Sequence, residues 1–598
     1  MRKQICLLLT NLLCISSAYA YDFSVKMNRD DVLYYTIHGD EVTLTCASTT
    51  DYYRYIGEII IPEKVEYEGK EYSVTAIDDH TFSYCISLSA VEIPNTITRI
   101  GNHAFSGCIE LDSLTLSNQL ISIGDFAFAG CSKLKEIDLP DGLSHIGVLA
   151  FSGCRALENV DFPPLLTDIG EGAFSGCSNL KKIHLPESIT EVKQGAFSGC
   201  AGVTDLYITE SVTAIGNDAF EFCVGLEHLV IPESVTKIGN SAFGRCQGLT
   251  ELVIPSSITS IAPHTFWGSD GITNLTLPET LTRIEDYAFN ECCGLRELIF
   301  SESIEYIGVG AFHMCDSLVR IVFPKTEVEF GKGAFGRCPN LKEVTLPGLM
   351  TNIPESMFYM CTSLEEINIP NTVKTIGKSA FWDCTALKEI DIPNSVTEIE
   401  LLAFVSCENL ERVKLPKNLN RIEEKTFYHC EKLKKIEWPK SLQYIGIDAF
   451  KDCESLEELT FPKSLKYIDE SAFFYCDGLK KINFPNSLDS IGDNAFRFCR
   501  ALTEVIIPDK VETIQNMAFN SCDEIRSLTL GKSVSLIEEC AFERSGLIEE
   551  IICKSQIPPV LSEDVFPNSL SCTLYVPKKS IQLYKEHEVW GQFNIVAR

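Results

Sequence analysis

One phenylalanine position recurs every 23 residues, and no other feature of this chain restricts its fold so tightly. It runs from Phe82, Phe105 and Phe128 to Phe519 and Phe542 without a slip, marking 21 units. A fixed period of this length is the mark of a solenoid built from repeated supersecondary units. It overrides the several independent domains that 598 residues would otherwise suggest.

The unit reads A-F-x-x-C-x-x-L-x-x-I-x-I-P, then an apolar residue, then I-G. After Phe128 come Cys131, Leu134, Ile137, Leu139, Pro140, Leu143, Ile146 and Gly147. The Leu and last Ile positions are apolar in all 21 units, Cys stands in 19 (Ser269 and Ser545 replace it), and Pro stands in 16. Ile137 and Leu139 are two apart, so they share one face of a strand. Pro140 has no N–H and stops that strand. Leu143 and Ile146 mark a second short extended piece, and Gly147 suits a turn. One coil of this length leaves its apolar side open, whereas stacked coils cover one another. The expected fold is a β-rich, right-handed leucine-rich-repeat solenoid of 21 coils with a parallel sheet along one face. At strand spacing it would be about 100 Å long.

L-x-x-I-x-I is a form of the leucine-rich motif L-x-x-L-x-L. The version here, with A-F-x-x-C, I-P and I-G, resembles the BspA-like leucine-rich repeats from Ile77 to about Ile552. That resemblance implies a protein displayed on a bacterial surface and acting as an adhesin or interaction partner. It names no ligand.

Residues 77–554 are therefore read as repeats, 21–76 as an N-terminal cap and 555–598 as a C-terminal cap. Gly57–Pro62 already mimics the repeat's strand, and Val65–Tyr72 reads as a hairpin turning at Glu68-Gly69. Beyond a one-residue slip at Phe566, Leu574–Pro577 reads as the last strand. Ser580 should cap a short helix carrying Ile581 and Tyr584. The 19 in-phase cysteines should form a buried ladder of reduced thiols, because parallel stacking points their Cβ vectors alike. Cys553 and Cys572 lie off that ladder, where a bridge between them is conceivable.

Residues 1–20 have the pattern of a signal peptide: Arg2 and Lys3, an apolar run from Ile5 to Ile15, then Ala18-Tyr19-Ala20. Cleavage is expected after Ala20; a lipoprotein anchored at Cys14 is the rival, weakened by Leu13. Removal of the leader leaves 49 basic against 83 acidic residues, a net charge of −34. Such a charge disfavours nucleic acid and anionic membrane faces. No later run is apolar enough to span a membrane. No nucleophile elbow, zincin, P-loop or dinucleotide motif occurs. His80 and His103 share a phase and should stack, but as two surface histidines at a turn rather than a metal site. No enzyme, cofactor or metal is expected.

Two outward tracks break the monotony. The residue between the two strand positions is charged in many coils, but it reads Tyr207, Val230, Val253, Thr276, Ile299 and Val322 in six consecutive ones. These would make a stripe about 24 Å long, and exposed apolar stripes often mark interaction sites. The residue after the ladder Phe is small in early coils but is Trp267, Tyr359, Trp382, Tyr428 or Phe474 in later ones. These rings are either binding anchors or fillers leaning over neighbouring turns. The unit around Phe266 departs furthest from the consensus. It lacks the Cys, the Gly and the usual Ala, and holds Pro263. The expected protein is a secreted or surface-displayed, or else periplasmic, monomer that binds a protein ligand such as a host matrix or serum glycoprotein. The alternatives are a self-associating envelope component and a glycan-binding scaffold.

Overall fold

The computed structural model describes residues 21–27, 31–47, 54–567 and 572–598. The expected leader, with Cys14, lies outside the described residues. The chain falls into two compact units: one runs to Ile258 and adds Ala262–Thr276, the other takes Thr259–Ile261 and Leu277–Arg598. The division passes through the aberrant coil around Phe266. Each unit is a parallel β-solenoid with little helix, the leucine-rich-repeat architecture that the period predicts, and the chain makes about 23 turns.

Three columns of hydrogen bonds tie coil to coil. The first is the sheet that I-x-I predicts. In the first unit Lys182–His184 pairs in parallel with Asp205–Tyr207, and Glu251–Val253 with Asn274–Thr276. In the second, Glu389–Asp391, Arg412–Lys414 and Lys435–Glu437 run side by side. Partners are one period apart, so each side chain sits over its counterpart. Along Glu251–Val253 the pattern is exposed, buried, exposed, as a strand with one wet face requires. The second column is formed by the pieces ending at the repeat's last Ile. Ser122–Ile123, His145–Ile146 and Asp168–Ile169 are successive members in the first unit. Seven such strands run from Arg421–Ile422 to Val560–Leu561 in the second.

The third column was not apparent in the sequence. The residues two before and two after the ladder Phe adopt left-handed backbone, as at His103 (φ 53°) and Gly107 (φ 74°). With Phe105 between them, all three N–H groups point to the next coil. They donate to the carbonyls of Asp125, Ala127 and Ala129, each at 2.7 Å. Most of these left-handed positions are not glycine; Asp452, Tyr475 and Arg544 are examples. Left-handed backbone costs about 1–2 kcal/mol per residue, and three hydrogen bonds of about 0.5–1.5 kcal/mol each offset it.

Gly147 is not a turn glycine. Its φ is ordinary, but a Cβ there would lie 2.5 Å from Asp125 N and Gly124 C. Close approach of two backbones, not a left-handed dihedral, favours glycine at this position.

Inside the coils the phenylalanines stack, from 5.0 Å between centroids at Phe82–Phe105 to 6.3 Å at Phe335–Phe358. The ladder cysteines are free and buried. From Cys108 to Cys246 in the first unit and from Cys315 to Cys522 in the second, the thiol donates to the carbonyl of the Phe 26 residues earlier, as Cys131 does to Phe105 and Cys361 to Phe335, at 3.2 and 3.3 Å. Ser269 and Ser545 make the same bond, to Phe243 at 3.1 Å and Phe519 at 3.4 Å. The position therefore calls for a small buried donor, which explains why serine alone replaces cysteine. Cys553 and Cys572 are also free, and Cys553 Sγ lies 3.1 Å from the Tyr584 hydroxyl.

At the first end, Phe23–Lys26, Val32–His38 and Glu41–Thr45 form an antiparallel meander. Lys64–Tyr67 and Lys70–Ile77 pair around Glu68-Gly69. At the far end the chain differs from expectation in two ways. Thr573–Val576 is followed by one more parallel strand, Asn594–Ala597. Ser580 precedes the helix Ile581–Glu586, but its side chain makes no capping bond. The helix is held instead by Tyr584, whose hydroxyl donates to Ser555 O at 2.9 Å. Trp590 follows, with Nε1 donating to Pro559 O at 2.8 Å.

Two outcomes are expected. Phe404→Ala, which removes a ring stacked at 5.2 and 5.3 Å between Phe381 and Phe427, should destabilise the surrounding coils by about 3–5 kcal/mol. Hydrogen exchange over 381–427 would read this, and Phe404→Leu should lose less. A thiol reagent should find the ladder cysteines unreactive in the native protein and all titratable in denaturant without reductant. Burial pushes thiols such as Cys131 and Cys223 up to about 12, and only the thiolate attacks.

A candidate interaction surface

The first track lies on the outward face of the first column. In the first unit Tyr207, Val230 and Val253 are 55, 76 and 49 % exposed, and Thr276 after them is exposed too. In the second unit Ile299 is 61 % exposed, while Val322 is only half-exposed. An exposed β-branched side chain is ordinary in a strand. Exposed apolar side chains in successive coils are less so, because the same face elsewhere is covered by ion pairs between coils. Arg412 binds Glu389, Asp391 and Glu437 at 2.9, 2.7 and 3.4 Å. Lys480 meets Glu457 at 3.2 Å, and Lys481 meets Glu458 at 3.7 Å.

The second track lies at the turn. Trp267, Tyr359, Trp382, Tyr428 and Phe474 are all half-buried, and each leans on neighbouring coils. Trp267 lies back across Gly244, where any Cβ would strike Nε1. That gap lets the indole reach the Glu221 carboxylate, two coils earlier. The Arg245 guanidinium stacks on the indole at 4.4 Å, and Phe222 meets it edge-on at 6.3 Å. Tyr359 and Trp382 meet edge-on at 5.8 Å. Tyr428, Lys451, Phe474 and Arg497 occupy this position in four consecutive coils, so rings alternate with cations. Lys451 sits 5.7 Å from the Tyr428 ring and 4.9 Å from that of Phe474, which also faces Arg497 at 5.9 Å. The expected early run of small residues is bounded by Tyr84, whose ring covers Gly107, and by the exposed Phe222.

Glu221 is a group that sequence reasoning missed. Burial, then the nearby Asp218, raises its carboxyl to about 7, against a hydrogen bond from Trp267 that lowers it. The one sequence sign of the arrangement is Gly244, a gap where Trp267 needs room. His80 and His103 do stack, 4.7 Å apart, and Phe126 extends the stack at 4.6 Å. Burial holds both imidazoles below the usual histidine range. Among the described residues no three of His, Cys, Asp and Glu are grouped to hold a metal.

A coil with an inward Phe, a buried thiol donor and an I-x-I strand, repeated at one register, defines the repeat type. A family model for the BspA type leucine rich repeat region matches residues 57–164, 146–273, 261–388, 351–479 and 447–573. The chain belongs to this family. Solved structures to which the chain is similar include a leucine-rich repeat protein from Bacteroides ovatus, 26 % identical over 77 % of this chain and 99 % of that one, with a TM-score of 0.44. A leucine rich cell surface protein from Faecalibacterium prausnitzii is 27 % identical, covering 69 % of this chain and 94 % of its own, with a TM-score of 0.35. A leucine-rich repeat protein of T. pallidum is 26 % identical over 36 % of this chain and 87 % of its own, with a TM-score of 0.29. A search of curated proteins gives no match. A leucine-rich-repeat solenoid is typically a non-catalytic scaffold.

Glu221 generates a pH dependence with a defined sign. Its folded value of about 7 exceeds the unfolded 4.5, so the native state holds the extra proton between them. The stability it contributes is present at pH 4.5 and is lost as pH rises through 7. Thermal melts should show Glu221→Gln losing less stability than the parent protein between pH 5 and pH 8.

Proposed function

We propose that this BspA-type protein is exported and acts at or beyond the cell surface as a non-catalytic binding scaffold, an adhesin that engages another protein through its sheet face. The observation that carries the reading is the row Tyr207, Val230 and Val253, open to solvent in successive coils. Apolar area removed from water stabilises a complex by about 25 cal/mol per Å². A row of anchors on a rigid column also costs little ordering entropy on binding. The half-buried rings of the turn edge are weaker candidates, since Arg245 and Lys451 already occupy ring faces that a sugar would stack on. Among the described residues no helix is long and apolar enough to cross a membrane. A matrix or serum glycoprotein is the proposed class of ligand, bound by a monomer.

Residues 21–598 should bind at least one protein of a matrix and serum panel saturably, with light scattering showing one chain per particle. Val253→Glu should weaken that binding by about tenfold or more, equivalent to 1.4 kcal/mol, without altering the thermal melt. Particles that grow with concentration, with no binding across the panel, would overturn the scaffold reading.

A further inference from the structure

We infer that the sheet face of the first unit docks a basic polypeptide, and that a cleft beside Val230 and Val253 receives one of its lysine or arginine side chains. This rests on the scaffold reading and adds the chemistry of the partner. The cleft is lined by His228, Val230, Glu233, Glu251, Val253 and Pro255, and its volume is about 290 Å³. That is the space of about ten waters at their liquid volume of 30 Å³ each, enough for one long side chain.

The lining has two chemistries in a definite order. Val230 and Val253 give it an apolar wall that stands in solvent. Glu251 shares a strand with Val253, two residues away and on the same outward face. Glu233 lies on the other side of Val230, beyond the Pro232 that follows the isolated bridge between His228 and Glu251. Its carboxylate is turned by hydrogen bonds from Ser256 Oγ at 2.9 Å and from the N–H groups of Ser256 and Ser257, each at 3.3 Å. A lysine or arginine side chain matches this order, with an apolar stem for the valines and a cationic head for the carboxylates.

The charge around the cleft points the same way. From Ala201 to Ile258 there are seven carboxylates and two strong bases, Lys237 and Arg245. Arg245 is stacked on Trp267 at the turn edge. Glu227 and Glu251 are exposed and pair with no cation among the described residues, whereas their counterparts in the second unit, Glu457 and Glu389 respectively, are paired with Lys480 and Arg412. Where the face is closed, the protein supplies its own cations between coils. Around Val230 it leaves the apolar row and the carboxylates unmatched, which is the complement of a segment that alternates apolar and basic residues. A partner entering here replaces the missing cross-coil cations with its own.

The test uses residues 21–598 and short extended peptides of alternating valine and lysine, valine and glutamate, or serine and lysine, read by fluorescence polarisation. The valine–lysine peptide should bind about tenfold or more tighter than either control at physiological salt. Glu233→Gln with Glu251→Gln, and separately Val230→Ser, should each weaken it by about tenfold, while Glu365→Gln with Glu366→Gln removes the same charge elsewhere and should change nothing. Equal loss in the two double variants would show diffuse attraction to an acidic protein and overturn the inference. Equal or tighter binding of the valine–glutamate peptide would also overturn it, leaving the scaffold reading intact. If no peptide binds and Val253→Glu is also silent toward matrix and serum proteins, both readings fall.

Discussion

Within each unit, coil is held to coil at the turn around the ladder phenylalanine. There three N–H groups, such as those of His103, Phe105 and Gly107, donate forward to carbonyls 22 residues on. This is possible only because the residues flanking the Phe turn left-handed. The ring of that Phe stacks on its neighbours inside, and its carbonyl takes the thiol of a later coil. One residue position therefore joins backbone pairing, ring stacking and thiol bonding. It tolerates no drift in spacing, because a shift of one residue would misplace all three at once. The single slip, at Phe566, occurs where the ring stack passes to the C-terminal cap and Phe566 meets Trp590.

With the interior determined so strictly, variation is confined to outward positions. The sheet face shows two ways of using them. Acid and base alternate from coil to coil around Arg412, and the face is covered by its own ion pairs. Exposed pairs of this kind contribute little stability each, but they leave no unmet charge for a partner. Around Val230 the alternation stops, and apolar side chains stand among carboxylates. The turn edge behaves differently, because side chains there can lean along the axis. Rings and cations such as Tyr428, Lys451 and Phe474 cover one another, and the surface satisfies itself.

How much of this could be read beforehand depends on whether a feature repeats. The ladder Phe, the strand I-x-I and the cysteine phase all recur, so the solenoid and its inward face were legible from spacing alone. The apolar row at Tyr207, Val230 and Val253 was legible for the same reason: position in the repeat determines which side chains point outward. The role of the left-handed pair was not, since residues as unlike as Asp452, Tyr475 and Arg544 occupy it and leave no compositional trace. Gly147 looked like a turn residue, but a neighbouring backbone presses against it. The last strand, Asn594–Ala597, was missed because one isolated apolar run after a helix carries no period.

The sequence by itself therefore determined the fold class, the coil length and which residues face inward, because a strict period leaves only one way to bury them. The tertiary structure decided what each outward residue meets. It laid Trp267 across Gly244 onto Glu221, two coils away, and raised that carboxyl to about 7. It also brought Glu233 and Glu251, from different coils, to one cleft with Val230 and Val253. Neighbours along the axis are a full period or more apart in the chain, and side-chain lean and local closure, which spacing does not encode, set which of them touch.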